Sequence, residues 1–195
     1  DPVFEIAHGL DLLLAGLGDE ANGHVALGLG SNKGDPVENI RAAVKLLAAG
    51  GFRHACLSSL YETAPVDCEP GTPPFINAVL IGDWHDSLMA LLKLCKVTEE
   101  KLGRPARHSS SEARTIDVDV LLFGDRQAQS QDLIIPHPRL RFRLFVLLPL
   151  SELAPDWVIP GTTETIGEAT AKLSRETANV SHWARRVTES GAGRT

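Results

Sequence analysis

Residues 114–124, with the sequence RTIDVDVLLFG, constrain the fold more than any other stretch of the chain. Asp117 and Asp119 alternate with apolar residues before a continuous apolar run, and this spacing predicts a strand with one apolar face. Side chains two positions apart point to the same side of a strand, so both aspartates project from the opposite face. An unpaired carboxylate beside an apolar interior is costly. We therefore expect a bound cation or basic side chains to compensate for the two charges.

Two explanations of the aspartate pair stay open on spacing alone. Carboxylate oxygens suit Mg²⁺, which completes its octahedron with substrate phosphates and water. Alternatively, arginines neutralise both carboxylates, and Arg104, Arg107 and Arg114 precede them in the chain. A second basic segment, residues 137–143, contains no acidic residue although the whole chain has a formal net charge of -6. These patches predict either a polyanionic ligand such as a phosphate chain, or a solvated basic face.

The remaining sequence alternates between strand and helix patterns. Apolar runs at residues 25–29, 52–62 and 75–82 predict strands. One helix pattern begins at Asp35 as N-cap and stops at a Gly-Gly pair, and a second covers residues 86–102. With the strand of the aspartate pair, the order is strand, helix, strand, strand, helix, strand. It predicts an α+β fold with a ferredoxin-like βαββαβ core, a mostly antiparallel sheet and both helices on one face.

Additions surround this core. The predicted units are residues 1–23, an N-terminal extension of helical pattern, residues 24–160, the globular domain, and residues 161–195, a C-terminal helix with a flexible tail. Within the domain, a small hairpin should precede a short helical segment between Pro138 and Pro149. The C-terminal helix is predicted over residues 161–182, with Thr162 or Thr163 near its start.

Composition argues against several classes of protein. The negative net charge disfavours a nucleic acid or a membrane surface as the main partner. No apolar run approaches the roughly 20 residues of a membrane helix. Cys56, Cys68 and Cys95 form no CxxC pair, so we expect neither a zinc site nor a disulfide framework, and a cytoplasmic location. Signatures of P-loop nucleotide binding, nucleophile elbows and HExxH metalloproteases are missing.

Glu99 occupies an unusual position for a carboxylate. It lies on the apolar stripe of the second predicted helix, together with Leu88, Leu91, Leu92 and Cys95. Such a residue is either a partly exposed edge position or a carboxylate held inward to bind a polar ligand. The sequence leaves both interpretations open.

Six segments together resemble the hydroxymethyl-dihydropterin pyrophosphokinase family of folate biosynthesis. They are GLGSNKGDPVENI, SSLYETAPV, PFINAVL, EEKLGR, RTIDVDVLLFG and IIPHPRLRFRLFVLLPLSELAP, within residues 24–160. Each segment alone is a weak signal, whereas six in the family's order are specific. The resemblance implies transfer of the terminal pyrophosphate of ATP to the hydroxymethyl group of a reduced pterin, with release of AMP and the use of two Mg²⁺ ions.

The resemblance also implies a role for each matching residue. Asp117 and Asp119 would bind both Mg²⁺ ions, while Arg104 and Arg114 would neutralise charge on the transferred group. The nucleotide site would comprise Leu92, Lys96, Glu99, Arg107, Val120, His137 and Arg143. The pterin would contact Thr63, Pro65, Val66, Phe75, Asn77 and Phe145. It would stack between the two phenylalanines, and Asn77 would read its ring edge.

Departures from the family's pattern keep other functions open. Ser111, Glu112 and Ala113 stand where the family usually has Trp-Gly-Pro, Lys96 stands where it tends to have glutamine, and Ala64 replaces a proline. One alternative is a catalytically weak pterin- or nucleotide-binding protein, and another is a regulatory ferredoxin-like domain with a structural aspartate pair. Some members are fused to a neighbouring folate enzyme, so the resemblance also implies fusion or association with one, through the N-terminal extension.

Overall fold

The elements of the predicted core are all present. A computed structural model describes residues 23–64, 71–103, 114–130, 133–177 and 185–187. The strands are β1 (His24–Ser31), β2 (Arg53–Leu57), β3 (Tyr61–Thr63), β4 (Phe75–Asp83), β5 (Asp117–Phe123), β6 (Ala128–Gln129), β7 (Ile134–Ile135) and β8 (Arg185–Arg186). The helices are α1 (Pro36–Ala49), α2 (Leu88–Lys101), α3 (Leu144–Leu153) and α4 (Ile166–Glu176), with a 3-10 turn at Leu140–Phe142 before α3.

One antiparallel sheet organises the molecule. Its strand order is β5-β1-β4-β3-β8, and β2 pairs with β4 beside β3. Strands β6 and β7 form a separate small ribbon, which corresponds to the predicted hairpin. The α+β class and the ferredoxin-like βαββαβ core are therefore confirmed, and the helices and ribbon after β5 are additions to that core.

The two faces of the sheet pack against different helices. Val25, Leu27 and Leu29 of β1 belong to the core under α1 and α2, together with Val118 and Val120 of β5. The opposite face buries a second set of residues against α3 and α4, among them Ala26, Val79, Leu121, Leu122, Leu147, Leu150 and Ile166. These contacts cover one end of the opposite face. The other end carries the aspartates and glycines described below.

Local signals placed α1 correctly. Asp35 is the N-cap, and its Oδ1 accepts a hydrogen bond of 3.1 Å from the backbone N–H of Glu38. Pro36 occupies the first turn, where its missing N–H costs no helical hydrogen bond. Gly50 is the C-cap, as the Gly-Gly signal predicts.

The prediction of one strand over residues 52–62 is wrong, because the chain forms β2 and β3 there. Ser58 interrupts the ladder to β4: its hydroxyl accepts a 2.9 Å hydrogen bond from the backbone N–H of Val79. A side chain thus replaces the carbonyl that a continuous strand would offer. His54 adds an irregularity with a φ of 48°.

Three helix boundaries also differ from prediction. The helix predicted over residues 86–102 begins later, because Ser87 is the N-cap and its Oγ accepts from Ala90 N at 3.1 Å. The C-terminal helix begins at Ile166, not near Thr162 or Thr163, because Thr165 and Glu168 form a capping box. It ends at Glu176, well before the predicted residue 182.

The helix expected to end before Pro149 continues through it. Pro149 lies inside α3, where its ring removes the helical hydrogen bond to the carbonyl of Phe145. Val146, Leu147 and Leu150 of α3 are buried, and this packing offsets the lost bond. Among the described residues, no helix combines the length and hydropathy that crossing a membrane requires.

Candidate active site

A row of residues crosses the sheet from one edge to the other. Asp117 of β5 pairs with Gly30 of β1, and Gly30 pairs with Asn77 of β4. Asn77 in turn pairs with Tyr61 of β3, which pairs with Arg186 of β8. Directly opposed residues project to the same face of a sheet. The row therefore sets a carboxylate and a carboxamide on one face, roughly 10 Å apart because two strand spacings separate them.

Glycines form the floor between these polar groups. Gly30 lies between Asp117 and Asn77, and Gly28 lies beside Asp119 in the neighbouring row. A Cβ atom on Gly30 would come within 3.2 Å of Asn77 Oδ1, and one on Gly28 within 3.3 Å of Leu121 Cδ2. Glycine inside a strand often marks a close approach by a ligand or another backbone. The space over Gly28 is occupied by the Leu121 side chain, whereas Gly30 lets the Asn77 carboxamide lie close to the backbone of β1.

Arg114 contacts the metal-ligand candidate Asp117. Its Nη1 donates to Asp117 Oδ2, and both side chains are largely buried, at 21% and 16% exposure. One of the two carboxylates therefore has an arginine as partner. Asp119, two residues further along, is exposed on the same face.

Asn32 holds Arg114 in position. Its Oδ1 accepts a 2.7 Å hydrogen bond from Arg114 N, and its own backbone N–H donates to the Arg114 carbonyl at 3.1 Å. Asn32 Nδ2 also donates to the carbonyl of Pro73 at 3.4 Å. Beside it, Ser31 Oγ donates to the Thr115 carbonyl at 2.5 Å. The end of β1 is therefore bonded to the segments that lead into the site from both sides.

The second basic segment lies beside Asp119. The backbone N–H of His137 donates to the Leu121 carbonyl of β5 at 2.9 Å. Burial lowers the pKa of Arg143, and neighbouring Arg139 lowers it further, while Asp119 acts in the opposite direction. The Arg143 guanidinium also lies over the ring of Phe145, 5.4 Å from its centroid. Cationic groups thus converge on the exposed carboxylate, as a phosphate chain bridging them would require.

His137 is held as a neutral donor. Its pKa is lowered chiefly by burial, with Arg143 and Arg139 adding to the effect and Asp119 opposing it. The backbone N–H of Arg139 donates to Nδ1 at 3.1 Å, so Nδ1 is the acceptor and Nε2 carries the proton. The imidazole can therefore donate from Nε2 to an anionic oxygen.

Glu99 is turned inward, so the interpretation as a partly exposed edge position is wrong. Only 3% of its surface is exposed. Its Oε1 accepts a 2.8 Å hydrogen bond from the backbone N–H of Val118, which lies between the two aspartates, and Oε2 accepts from Lys96 Nζ at 3.2 Å. The carboxylate thereby connects α2 to the strand that carries both acidic side chains.

Three of the candidate pterin residues, Thr63, Phe75 and Asn77, lie together at the other end of the row. Asn77 is 8% exposed, and its Nδ2 donates to Thr63 Oγ1 at 2.8 Å. This bond fixes the amide so that Oδ1 faces Gly30 and the floor of the site. Phe75 lies opposite Thr63 in the sheet, and its ring is half-buried. Phe145, also half-buried, lies on α3 under the Arg143 guanidinium, and no ring contact joins it to Phe75 within the described residues. An amide acceptor is thus set close to aromatic surface, as recognition of a flat heterocycle requires.

The remaining predicted site residues divide into two groups. Leu92 is half-buried and Val120 is 5% exposed, and both pack with the core beneath α1 and α2. Val120 lies on β5, which forms one edge of the sheet, so the two residues are near the acidic face only around that edge. The predictions for Pro65, Val66, Arg104 and Arg107, for the altered segment 111–113 and for residues 1–22 fall outside the described residues.

The aspartate pair suits Mg²⁺, which takes further ligands from substrate and water, better than it suits a metal ion bound entirely by protein side chains. Across the described ranges, no three or more histidine, cysteine, aspartate or glutamate side chains gather as a metal centre. Mg²⁺ is commonly bound by one or two carboxylates, with substrate phosphates and water completing its shell. Asp117 and Asp119, with basic groups beside them for the same phosphates, are a donor set of this kind.

Sequence reasoning missed several residues that shape the site. Gly28 and Gly30 alternate inside a strand, which is a readable signal of close approach. Asn32 follows that strand directly, and a polar residue at this point is a weak hint of a role in the loops. The contributions of Ser31 and Thr115 depend on contacts between distant segments, and no local pattern predicts them.

The chain is similar to proteins of known family. A family model described as 7,8-dihydro-6-hydroxymethylpterin-pyrophosphokinase matches residues 26–155. A 2-amino-4-hydroxy-6-hydroxymethyldihydropteridine pyrophosphokinase of Methylorubrum extorquens is 42% identical over 148 residues, which cover 75% of this chain and 91% of the relative. A protein of the same name from Synechocystis is 38% identical over 141 residues, covering 72% and 71% of the two chains.

Longer proteins match as well. The folic acid synthesis protein fol1 of Schizosaccharomyces pombe is 38% identical over 148 residues, which are 75% of this chain and 20% of that protein. A crystal structure of HPPK-DHPS in complex with substrates has a TM-score of 0.63 at 13% identity, covering 82% of this chain and 44% of the other, and so shows the shared fold. This chain spans less than half the length of that HPPK-DHPS chain. By the extent of the family match and the identity to its relatives, the chain belongs to the 7,8-dihydro-6-hydroxymethylpterin-pyrophosphokinase family.

Proposed function

We propose that this chain transfers the terminal pyrophosphate of ATP to the hydroxymethyl group of 6-hydroxymethyl-7,8-dihydropterin and releases AMP, a reaction of folate biosynthesis. Family membership supports the reaction. The observation that carries its location is the row in which Asp117 and Asn77 flank the glycine floor. A pterin at Asn77 and a phosphate chain at Asp117 would then share one face of the sheet.

Two Mg²⁺ ions are assigned to Asp117 and Asp119. Bound there, they would neutralise and orient the triphosphate for displacement at phosphorus. Arg114 already contacts Asp117, so it is placed to exchange part of that contact for a phosphate oxygen as charge develops. Arg104 is proposed for the same task by its place in the family motif.

The triphosphate and nucleoside are assigned to the basic end of the site. His137, donating from Nε2, and Arg143, beside Asp119, would bind phosphate oxygens, and Arg107 is proposed to join them. Leu92, Lys96 and Val120 would line the nucleoside at the β5 edge. Glu99 supports this region by fixing Val118, and therefore the two flanking aspartates, against α2.

The pterin is assigned to the Asn77 end of the row. Asn77 Oδ1 would accept a hydrogen bond from an N–H group of the ring, while Thr63 holds the amide in that orientation. Phe75 and Phe145 would stack on the two faces of the heterocycle. Pro65 and Val66, in the segment that follows β3, are proposed as further contacts.

Catalysis needs no covalent intermediate on the protein. The pterin hydroxyl oxygen would attack the β-phosphorus in line, and the bond from that phosphorus to the oxygen bridging the α-phosphorus would break. AMP leaves with that oxygen, and the hydroxyl proton is released. The residues described here orient the two substrates and neutralise charge, which are the main protein contributions to phosphoryl transfer.

The test combines the full chain with ATP, Mg²⁺ and 6-hydroxymethyl-7,8-dihydropterin, and measures AMP and the pyrophosphorylated pterin. AMP should form only when all three are present and should disappear with excess EDTA. Binding of pterin or ATP by calorimetry without AMP formation would instead identify a binding protein of this fold. Absence of Mg²⁺-dependent nucleotide binding would favour the structural explanation of the aspartate pair.

Relatives suggest a partner for this enzyme. An Arabidopsis thaliana relative is named a mitochondrial folate synthesis bifunctional protein, and this chain covers 23% of it at 40% identity. Fusion or association with a neighbouring folate enzyme is therefore proposed for this chain too. From the scattered cysteines and the net charge of -6, a cytoplasmic location is proposed, with no nucleic acid or membrane as partner.

A further inference from the structure

The C-terminal strand lies beside the proposed pterin site. Strand β8 pairs antiparallel with β3, with Arg186 opposite Tyr61, and Val187 N donates to the Leu60 carbonyl at 2.8 Å. Strand β3 has three residues and pairs with β4 on its other side. Residues 185–187 therefore convert a very short edge strand into an internal one. They lie beyond the region 26–155 that the family model matches.

Arg186 connects this strand to a polar cluster on the same face. Its Nε donates to Ser59 Oγ at 2.8 Å, Nη2 also donates to that oxygen, and Nη2 donates to Glu152 Oε1 at 3.3 Å. Glu152, near the end of α3, accepts from Ser59 Oγ at 2.7 Å and from Tyr61 Oη at 3.2 Å. One carboxylate thus connects the C-terminal strand, the start of β3 and helix α3.

The cluster reaches the pterin site through β3. Tyr61 lies two residues before Thr63 and on the same face, because side chains two apart in a strand share a face. Thr63 accepts the hydrogen bond from Asn77 Nδ2 that fixes the amide. A shift of β3 would therefore alter the orientation of Asn77 before it altered the aspartates, which lie across the sheet on β5.

We infer that Arg186 is a positioning residue for the pterin: by holding β3 through Ser59 and Glu152, it sets the Thr63–Asn77 pair in its binding orientation. This inference rests on the proposed function, because it assigns the pterin to that pair. Arg186 is 63% exposed, so its contribution is modest and specific to this end of the site. The nucleotide end depends on β5, α2 and the basic segment, which Arg186 does not contact through any of these bonds.

The test measures both substrates in the full-length Arg186→Ala variant. The KM for the pterin should rise by about three- to tenfold, while the KM for ATP and kcat change less than about twofold. Arg186→Lys keeps a cation for Glu152 and should restore part of the loss. Arg175→Ala, which removes an exposed arginine of α4, is the matched control and should leave all three constants unchanged.

Binding of the pterin and binding of ATP are also measured by calorimetry, so that the result does not depend on turnover. Weaker pterin binding with unchanged ATP binding supports the positioning role, even if the wild-type chain released no AMP, which would count against the proposed function alone. Unchanged pterin binding in Arg186→Ala would overturn the inference. A parallel loss for both ligands, with a lower melting temperature, would also overturn it, since it would show general destabilisation only.

Discussion

Replacement of Glu99 by alanine tests how the acidic strand is held. The carboxylate accepts a 2.8 Å hydrogen bond from the buried N–H of Val118, and it is 3% exposed. Loss of a hydrogen bond between a buried amide and a charged acceptor costs about 2 kcal/mol. Lost packing of the side-chain methylenes adds about 1 kcal/mol. The contact with Lys96 adds little, because that side chain is 64% exposed.

Glu99→Ala should therefore lower the free energy of unfolding by about 3 kcal/mol, and the melting temperature by about 9 °C for a chain of this size. Glu99→Gln keeps an acceptor for Val118 N and should lose about 1 kcal/mol. Denaturant titration with a two-state fit measures both changes. AMP release should fall more in Glu99→Ala than in Glu99→Gln, because Val118, which loses its acceptor in the alanine variant, lies between Asp117 and Asp119.

The matched control is Glu100→Ala, which removes an exposed carboxylate from the next position of the same helix. It should change the free energy of unfolding by less than about 0.5 kcal/mol. A loss below about 1 kcal/mol in Glu99→Ala, or equal losses in the alanine and glutamine variants, would refute the role of the carboxylate as the acceptor for Val118.

Three further predictions address the floor, the amide and a distant ion cluster. Gly30→Ala should raise the KM for the pterin about tenfold, because the new Cβ would lie 3.2 Å from Asn77 Oδ1; an unchanged KM would contradict the close approach. Thr63→Val should lower kcat/KM for the pterin about tenfold by removing the acceptor for Asn77, and Thr63→Ser should restore it; equal activity of the two variants would contradict this. Hydrogen bonds from His54 and, less strongly, from His24 hold the pKa of Asp83 below its usual 3.8, against a smaller opposing effect of burial. Because the folded pKa is the lower one, this stabilisation is present above about pH 4 and is lost as the pH falls through the lowered pKa. Unfolding curves of wild type and Asp83→Asn should therefore differ at pH 5 and converge at low pH, and a constant difference would refute the linkage.

Local chemistry explains which parts of the fold were predictable. Helix α1 (Pro36–Ala49) could be placed because its caps, Asp35 and Gly50, act on their own neighbours. Strand β5 could be predicted because alternation of acidic and apolar residues matches the two-residue period of a strand. The βαββαβ order follows from such elements with few assumptions about distant contacts.

Other features depend on contacts between distant segments. Ser58 divides the predicted strand 52–62 because its hydroxyl bonds to Val79 N, which no local pattern announces. The two-residue strand β8 exists only through its pairing with β3. Residues 185–187 are too few to be predicted as a strand from the local sequence, because a strand of this length is stable only when it pairs with a neighbour.

The candidate site shows the same division. Asp117 and Asp119 were identifiable because carboxylates in an apolar strand require a partner. The sequence left open whether the Glu99 side chain is partly exposed or held inward. Only its hydrogen bond from the buried Val118 N decides between the two. Gly30 could not be placed between Asp117 and Asn77 from the sequence, because that placement depends on the register of β1 against its neighbours.

The assignment of the metal and phosphate chain to the aspartate face is tested most directly by the rate of AMP release, with saturating ATP, Mg²⁺ and 6-hydroxymethyl-7,8-dihydropterin, in Asp119→Ala against Asp125→Ala. Asp125 is an exposed aspartate just beyond the end of the same strand, so the two variants remove the same group. We expect a loss of at least about a hundredfold for Asp119→Ala and a change below about twofold for Asp125→Ala. Wild-type activity in Asp119→Ala would contradict the assignment of the catalytic metal and phosphate chain to this face of the sheet.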